Sequence, residues 1–271
     1  MATTGLFDTD TLVTPLGDGR YSATLSDRWN ALGGAPNGGY SLAMTVSALA
    51  HLMRPLGLPD PLTVSTFFLR RAATGAAELR ASIARVGKRT ATADAQLWQG
   101  GDEIVRTTAT FADLAQARGR TLALTAPPVL PPPEDCLELT GGRRLPGVTI
   151  VDRVEIRCPE RPGWTQGKPS GNPSALFWMR FTDGRDADTR ALPSLVDACA
   201  PVVMELGART SSTIELTTHV RARPAPGWLA CRVVTRHVIA GYHDEDFEIW
   251  DSTGQLVAQS RQLALMPLDD A

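Results

Sequence analysis

The chain has 271 residues, of which 43% are hydrophobic and 21% charged, so it can bury a sizeable core as one large domain or two small ones, and disorder is excluded as the default. Its 27 Lys and Arg against 29 Asp and Glu leave a net charge near -2, which argues against a nucleic-acid groove or an anionic membrane surface and favours a small-molecule partner. Met1 to Asp10 lacks the basic start and apolar centre of a signal peptide, and no uninterrupted segment reaches membrane-spanning length, so a cytoplasmic location is expected.

In chain order, the pattern predicts a strand near 21–25, a Gly/Pro-rich approach from Gly33 to Gly39, and a helix from about Gly39 to Met53. Leu42, Val46, Leu49 and Met53 form its apolar stripe. Strands follow near 62–70, 76–86, 90–99 and 103–112. The run Pro127 to Pro133 suits neither a helix nor a central strand, because each ring removes a backbone donor, and it reads as a linker. Beyond it come strands near 150–157 and 175–182, separated by a loose segment from Pro159 to Pro173. A second helix is expected from about Pro193 to Leu206, with a kink at Pro201, and then strands near 213–222, 228–238, 243–250 and 255–266.

The two halves keep a nearly constant offset. Arg70 stands against Arg221 and Ile104 against Leu256, and the turns Gln99-Gly100-Gly101-Asp102 and Asp251-Ser252-Thr253-Gly254 match as hairpin connections. A repeat this long means duplication of a whole fold. An apolar helix followed by antiparallel strands must be wrapped by them, which gives an α+β double hot-dog: two tandem repeats, each with a long helix wrapped by an antiparallel sheet. The expected units are an N-terminal hot-dog over 1–115, a Pro-rich linker over 116–148 and a C-terminal hot-dog over 149–271. Long edge strands would remain, so self-association into a homo-oligomer is expected.

Asp197 draws attention in Leu192 to Met204, a segment with no other charge, since burying a carboxylate costs several kcal/mol unless it is paired or hydrogen-bonded. A surface position, or neutralisation by an Arg, is the alternative reading. No G-x-S-x-G elbow and no glycine-rich phosphate loop is present. Cys136, Cys158, Cys199 and Cys231 form neither a C-x-x-C pair nor a metal knuckle with the four histidines, so reduced thiols, no metal and no cofactor are expected.

The stretches Gly33-Gly34-Ala35-Pro36-Asn37-Gly38-Gly39-Tyr40, Phe67-Phe68-Leu69-Arg70-Arg71 and Leu256-Val257-Ala258-Gln259-Ser260-Arg261-Gln262 resemble the acyl-CoA thioesterase II family of double hot-dog thioesterases, in order and spacing over nearly the whole chain. That resemblance implies an Asp on the second helix, a Ser or Thr at the start of the next strand and a Gln in the last strand, which together activate a hydrolytic water. They fall on Asp197, Thr213 and Gln262. The family's usual Asp-His pair after the hydroxyl residue is Glu215-Leu216 here. Without the resemblance, Thr213 reads as a β-branched strand residue and Gln262 as a solvent-facing one.

The function expected is hydrolysis of an acyl-CoA thioester, with Asp197 as general base on a water oriented by Thr213 and Gln262. Backbone N–H groups of Gly38 and Gly39 are candidates for the oxyanion, the alternative being that these glycines only give steric access. Arg70-Arg71 and Gly87-Lys88-Arg89 are either CoA phosphate contacts or solvated turns. The other class considered is a non-catalytic acyl or polyketide-type ligand-binding hot-dog protein. By the repeat offset, Asp197 corresponds to Val46, Gln262 to Thr110 and Thr213 to Pro61 or Leu62, so one active site per chain is expected, with Val46 lining the acyl cavity or packing the core.

Overall fold

The computed structural model describes residues 5–266, so positions 1–4 and 267–271 of the two expected units lie outside the described residues. The first repeat runs through α1 (Leu6–Asp10), β1 (Thr14–Gly17), β2 (Arg20–Leu25), α2 (Gly38–Met53), β3 (Asp60–Phe68), β4 (Gly75–Val86), β5 (Thr90–Gln99) and β6 (Asp102–Ala112). The second contains β7 (Leu137–Glu138), β8 (Val154–Cys158), β9 (Ser174–Phe181), α3 (Leu192–Leu195), β10 (Ser212–Val220), β11 (Leu229–Val234), β12 (Val238–Ile239), β13 (Tyr242–Trp250) and β14 (Leu256–Leu265).

The helix α2 is wrapped because its own sequence leaves no solvated face. Leu42, Leu49 and Met53 are fully buried and Val46 nearly so, each worth about 1.5–3 kcal/mol relative to exposure. It packs on β3, β4, β5 and β6, and the inward side of β5 is Ala91, Ala93, Ala95 and Leu97, whose small side chains let the helix lie close. At its start, Asn37 caps the helix by accepting the Tyr40 N–H at 3.0 Å. Tyr40 stacks on Trp29 at 5.4 Å and its hydroxyl donates to the Asp10 carbonyl at 2.9 Å, which fixes where the helix begins.

The strands among the described residues join one antiparallel 14-stranded sheet in the order β1-β2-β4-β5-β6-β3-β10-β14-β13-β11-β9-β8-β7, with β12 paired to β13. The order is a palindrome of the repeat: β3 matches β10, β6 matches β14, β5 matches β13, β4 matches β11 and β2 matches β9. The halves meet where β3 pairs with β10, and Thr217 Oγ1 donates to Ser65 Oγ at 2.9 Å where the two strands cross their pseudo-two-fold axis.

Two expectations are corrected. A long helix in each repeat is not found: among the described residues only α2 exceeds one or two turns, and the helix expected from Pro193 to Leu206 is a single turn, α3, followed by an irregular turn and a 3-10 turn over Val202–Leu206. Pro201 does more than kink the helix. It lacks an N–H and disfavours helical backbone at Ala200, so the chain leaves the helix before it and restarts after it. The sheet also ends on short strands, β1 and β7, in place of the long free edges expected.

No helix among the described residues is long and apolar enough to cross a membrane.

Candidate active site

The loss of helix after α3 exposes the Asp197 carboxylate to the first repeat. Its Oδ2 accepts the Gly39 N–H at 2.6 Å and the Asn37 Nδ2 at 3.1 Å, while the same Asn37 amide donates to the Asp197 carbonyl at 2.8 Å. The carboxylate therefore faces the N-terminus of α2, where the helix dipole favours negative charge. Even so, burial outweighs these donors and pushes its pKa up to about 6. Oδ1 takes no hydrogen bond from the described residues, and it is the oxygen left for a ligand or water.

Gly38 and Gly39 are required by this approach. A Cβ on Gly39 would lie 2.5 Å from the Ser194 carbonyl, and one on Gly38 would lie 2.9 Å from Asp197 Oδ2. Close approach and hydrogen bonding thus coincide. The Gly39 N–H is committed to Asp197, while the Gly38 N–H has no partner among the described residues.

Thr213 and Gln262 meet directly, Thr213 Oγ1 donating to Gln262 Oε1 at 2.9 Å. Strand alternation alone would not bring Thr213 there, because Leu216, Thr218 and Val220 define the inward face of β10 and Thr213 has the opposite parity. A β-bulge at Ile214 inverts the parity: Leu216 pairs with Gln262, Glu215 with Leu263, and Thr213 with the buried Ala264. Asp197 makes no direct hydrogen bond to either residue among those described. The turn that carries it follows α3, which packs on both β10 and β14.

A further acid, Glu245, belongs to the cluster and was missed in the sequence. It is 4% exposed; its Oε1 accepts Gln262 Nε2 at 2.9 Å and its Oε2 accepts the Val202 N–H at 2.9 Å. Burial, reinforced by the charge of Asp197, pushes its pKa up to about 7. The signal was available, since His243, Glu245, Phe247 and Ile249 alternate on the inward side of β13. Beside it, Ser211 Oγ and His243 Nε2 lie 2.8 Å apart, and burial lowers the His243 pKa.

Val46 lies in the core at 1% exposure and lines neither of two cavities found in the molecule. One, of about 400 Å³, is lined by Ile156, Phe177, Val233, Cys199, Ala200 and Val202 among others, and so reaches the turn that bears Asp197. The other, about 610 Å³, lies beyond the opposite end of α2, where Arg223 pairs with Asp60 and Asp113, and Arg190 with Asp188. Its charges largely neutralise one another, and it lies away from the cluster. Arg71 donates to the Gly33 carbonyl in the loop leading to α2, whereas Arg70 pairs with Asp102 and Gly87 to Arg89 form the β4–β5 turn.

The register corrects one correspondence between repeats. Val64 and Leu216 are equivalent about the axis, and they pair with Ala109 and Gln262, so Gln262 matches Ala109 and not Thr110. By the same ladders Glu245 matches Ala93 and Thr213 matches Pro61, which precedes a bulge of its own. The first repeat carries no polar side chain at these three positions.

Comparison with known proteins agrees with this architecture. The family models of the acyl-CoA thioesterase N-terminal and C-terminal domains match residues 25–112 and 133–266. The chain superposes on the structure of a candidate thioesterase II from Thermobifida fusca with a TM-score of 0.84, at 30% identity, covering 96% of this chain and 98% of that one. The acyl-CoA thioesterase II TesB2 of Mycobacterium marinum shares the fold, with a TM-score of 0.76 at 17% identity over 97% of this chain and 99% of that one. An uncharacterised protein of Mycobacterium tuberculosis H37Rv is 29% identical over 275 residues, 91% of each chain. With both repeats matched and a 30% identical relative covered almost end to end, the chain belongs to the acyl-CoA thioesterase II family of double hot-dog proteins.

Proposed function

We propose that the protein hydrolyses acyl-CoA thioesters with a water activated by Asp197 and oriented by Thr213 and Gln262. The observation that carries this reading is the half-used Asp197 carboxylate: Oδ2 is locked onto Gly39 and Asn37 while Oδ1 remains available, with a pKa near 6 that leaves it ionised at neutral pH yet able to take a proton.

In the reaction, Oδ1 takes one proton from the water as its oxygen bonds to the thioester carbon. The unpartnered Gly38 N–H, at the positive end of α2, donates to the developing oxyanion. Collapse breaks the C–S bond, and the proton held on Asp197 passes to the leaving CoA sulfur. The acyl group occupies the cavity beside Cys199 and Ala200, whose inner wall is Ile156, Phe177 and Val233. Arg71 stands at the loop before α2 as the contact for a CoA phosphate.

The chain is further proposed to self-associate, through the outward side chains Phe67, Leu263 and Leu265 on the two strands that flank β10, in place of the short edges. Light scattering at micromolar concentration should show more than a monomer.

Thiol release measured across short, medium and long acyl-CoAs tests the reaction. Release above the uncatalysed rate for at least one chain length is expected. No release with any of them would favour the non-catalytic ligand-binding alternative.

A further inference from the structure

We infer that Glu245 is a positioning residue that sets the direction of the Thr213–Gln262 hydrogen bond, and thereby decides whether Thr213 offers the nucleophilic water a lone pair or a proton. This inference rests on the hydrolytic reading of the site above.

A carboxylate only accepts, and an amide has two unlike ends. With Oε1 of Glu245 accepting Gln262 Nε2 at 2.9 Å, the amide oxygen must point at Thr213. The Thr213 hydroxyl then spends its one proton on Gln262 Oε1, at 2.9 Å, and its remaining lone pair is free for a hydrogen of the water. A water held this way gives one hydrogen to Asp197 Oδ1 and one to Thr213 Oγ1, and its lone pair stays directed at the thioester carbon. The second oxygen of Glu245 is fixed by the Val202 N–H at 2.9 Å, on the chain segment that follows the Asp197 turn, so the carboxylate cannot simply swing away.

Binding one proton from solvent reverses the chain. Protonated Glu245 donates to the amide oxygen, the Gln262 amide turns over, its NH₂ faces Thr213, and the hydroxyl proton is driven into the water site. No heavy-atom bond changes. The water's lone pair is then occupied and attack is disfavoured.

The surroundings place this event near neutral pH. From the turn after α3 come Asp197 and Cys199; from β13 itself come Asp244 and, two residues before Glu245 on the same face, His243; β14 contributes the neutral Gln262. No cation faces Glu245 among the described residues, and burial with the Asp197 charge raises it to about 7. Packing does not call for the acid, since the equivalent position in the first repeat is Ala93.

The experiment uses the full chain, as Glu245→Gln and as the exchanged pair Glu245→Gln with Gln262→Glu. The side-chain amide resonances of Gln262, followed by NMR, should titrate with a midpoint near neutral in the wild type and lose that titration in Glu245→Gln. In that variant kcat should fall roughly tenfold or more with little change in KM, and the acid limb of the pH–kcat profile should lose one of its two ionisations. The exchanged pair should recover part of kcat, because a carboxylate again accepts the Thr213 proton. A Gln262 amide that does not titrate, or a Glu245→Gln enzyme with wild-type kcat and an unchanged acid limb, overturns the inference. Failure of the underlying hydrolytic reading shows separately, as unaltered turnover in Asp197→Asn, and the amide titration still decides whether Glu245 governs Gln262.

Discussion

Gly39 donates its backbone N–H to Asp197 Oδ2 at 2.6 Å although the two residues lie in opposite repeats of the chain. The first repeat therefore supplies the socket and the second the carboxylate, and the site depends on the contact between them. Gly39→Ala sets a methyl 2.5 Å from the Ser194 carbonyl, a backbone atom that can yield only by moving the whole turn. A loss of about 1–3 kcal/mol in urea unfolding is expected, together with a lower kcat. Unchanged stability and activity would count against the close packing.

Asp197 should also make the fold less stable at neutral pH than in mild acid. Its folded pKa near 6 lies above its ordinary 3.8, so the folded state holds the proton more tightly. The stability from that proton is complete below about 3.8 and is lost as pH rises through about 6. Asp197→Asn should therefore be more stable than the wild type at pH 8, by on the order of 2 kcal/mol, and nearly equal to it at pH 4. Thermal melts across this range decide it; a variant less stable at pH 8 contradicts the desolvation argument.

Thr213→Ala and Gln262→Ala should lower kcat by roughly tenfold to a hundredfold, since each leaves the base in place and disorders its water. Ser211→Ala should leave kcat within a few-fold of wild type. The Ser211–His243 pair has the geometry of a nucleophile and base, so collapse of activity in Ser211→Ala, or a burst of thiol release, would instead favour a covalent route.

The first repeat should stay inert when given an acid. Val46→Asp places an unpaired charge in the core, where the equivalents of Thr213, Gln262 and Glu245 are Pro61, Ala109 and Ala93. No second activity and a loss of more than about 3 kcal/mol are expected from unfolding and turnover measurements. A variant with raised kcat would overturn the one-site account.

The fold was largely legible because its signals are local. α2 and the eight main strands of the wrapped sheets appear at the predicted places, since apolar period and glycine turns mark them directly. What failed depended on single backbone events. The apolar pattern runs on through Pro201, where the backbone leaves the helix, and a constant offset aligns Gln262 with Thr110 because the two hairpins differ by one residue. Asp197 stood out as a lone charge in an apolar run. Thr213 did not, because the bulge at Ile214 hides its inward position from any alternation pattern, and only family resemblance pointed to it. Glu245 could have been found by alternation, but Asp244, Asp246 and Glu248 make its strand look solvated.

The most direct measurement is steady-state hydrolysis by folded Asp197→Asn, using the acyl-CoA that the wild type turns over fastest. An amide cannot accept the water's proton, so kcat should fall by roughly 10²–10⁴ while KM changes little, and the Asp197 ionisation near pH 6 should disappear from the acid limb of any residual rate, leaving that of Glu245. Wild-type turnover in that variant would contradict the account.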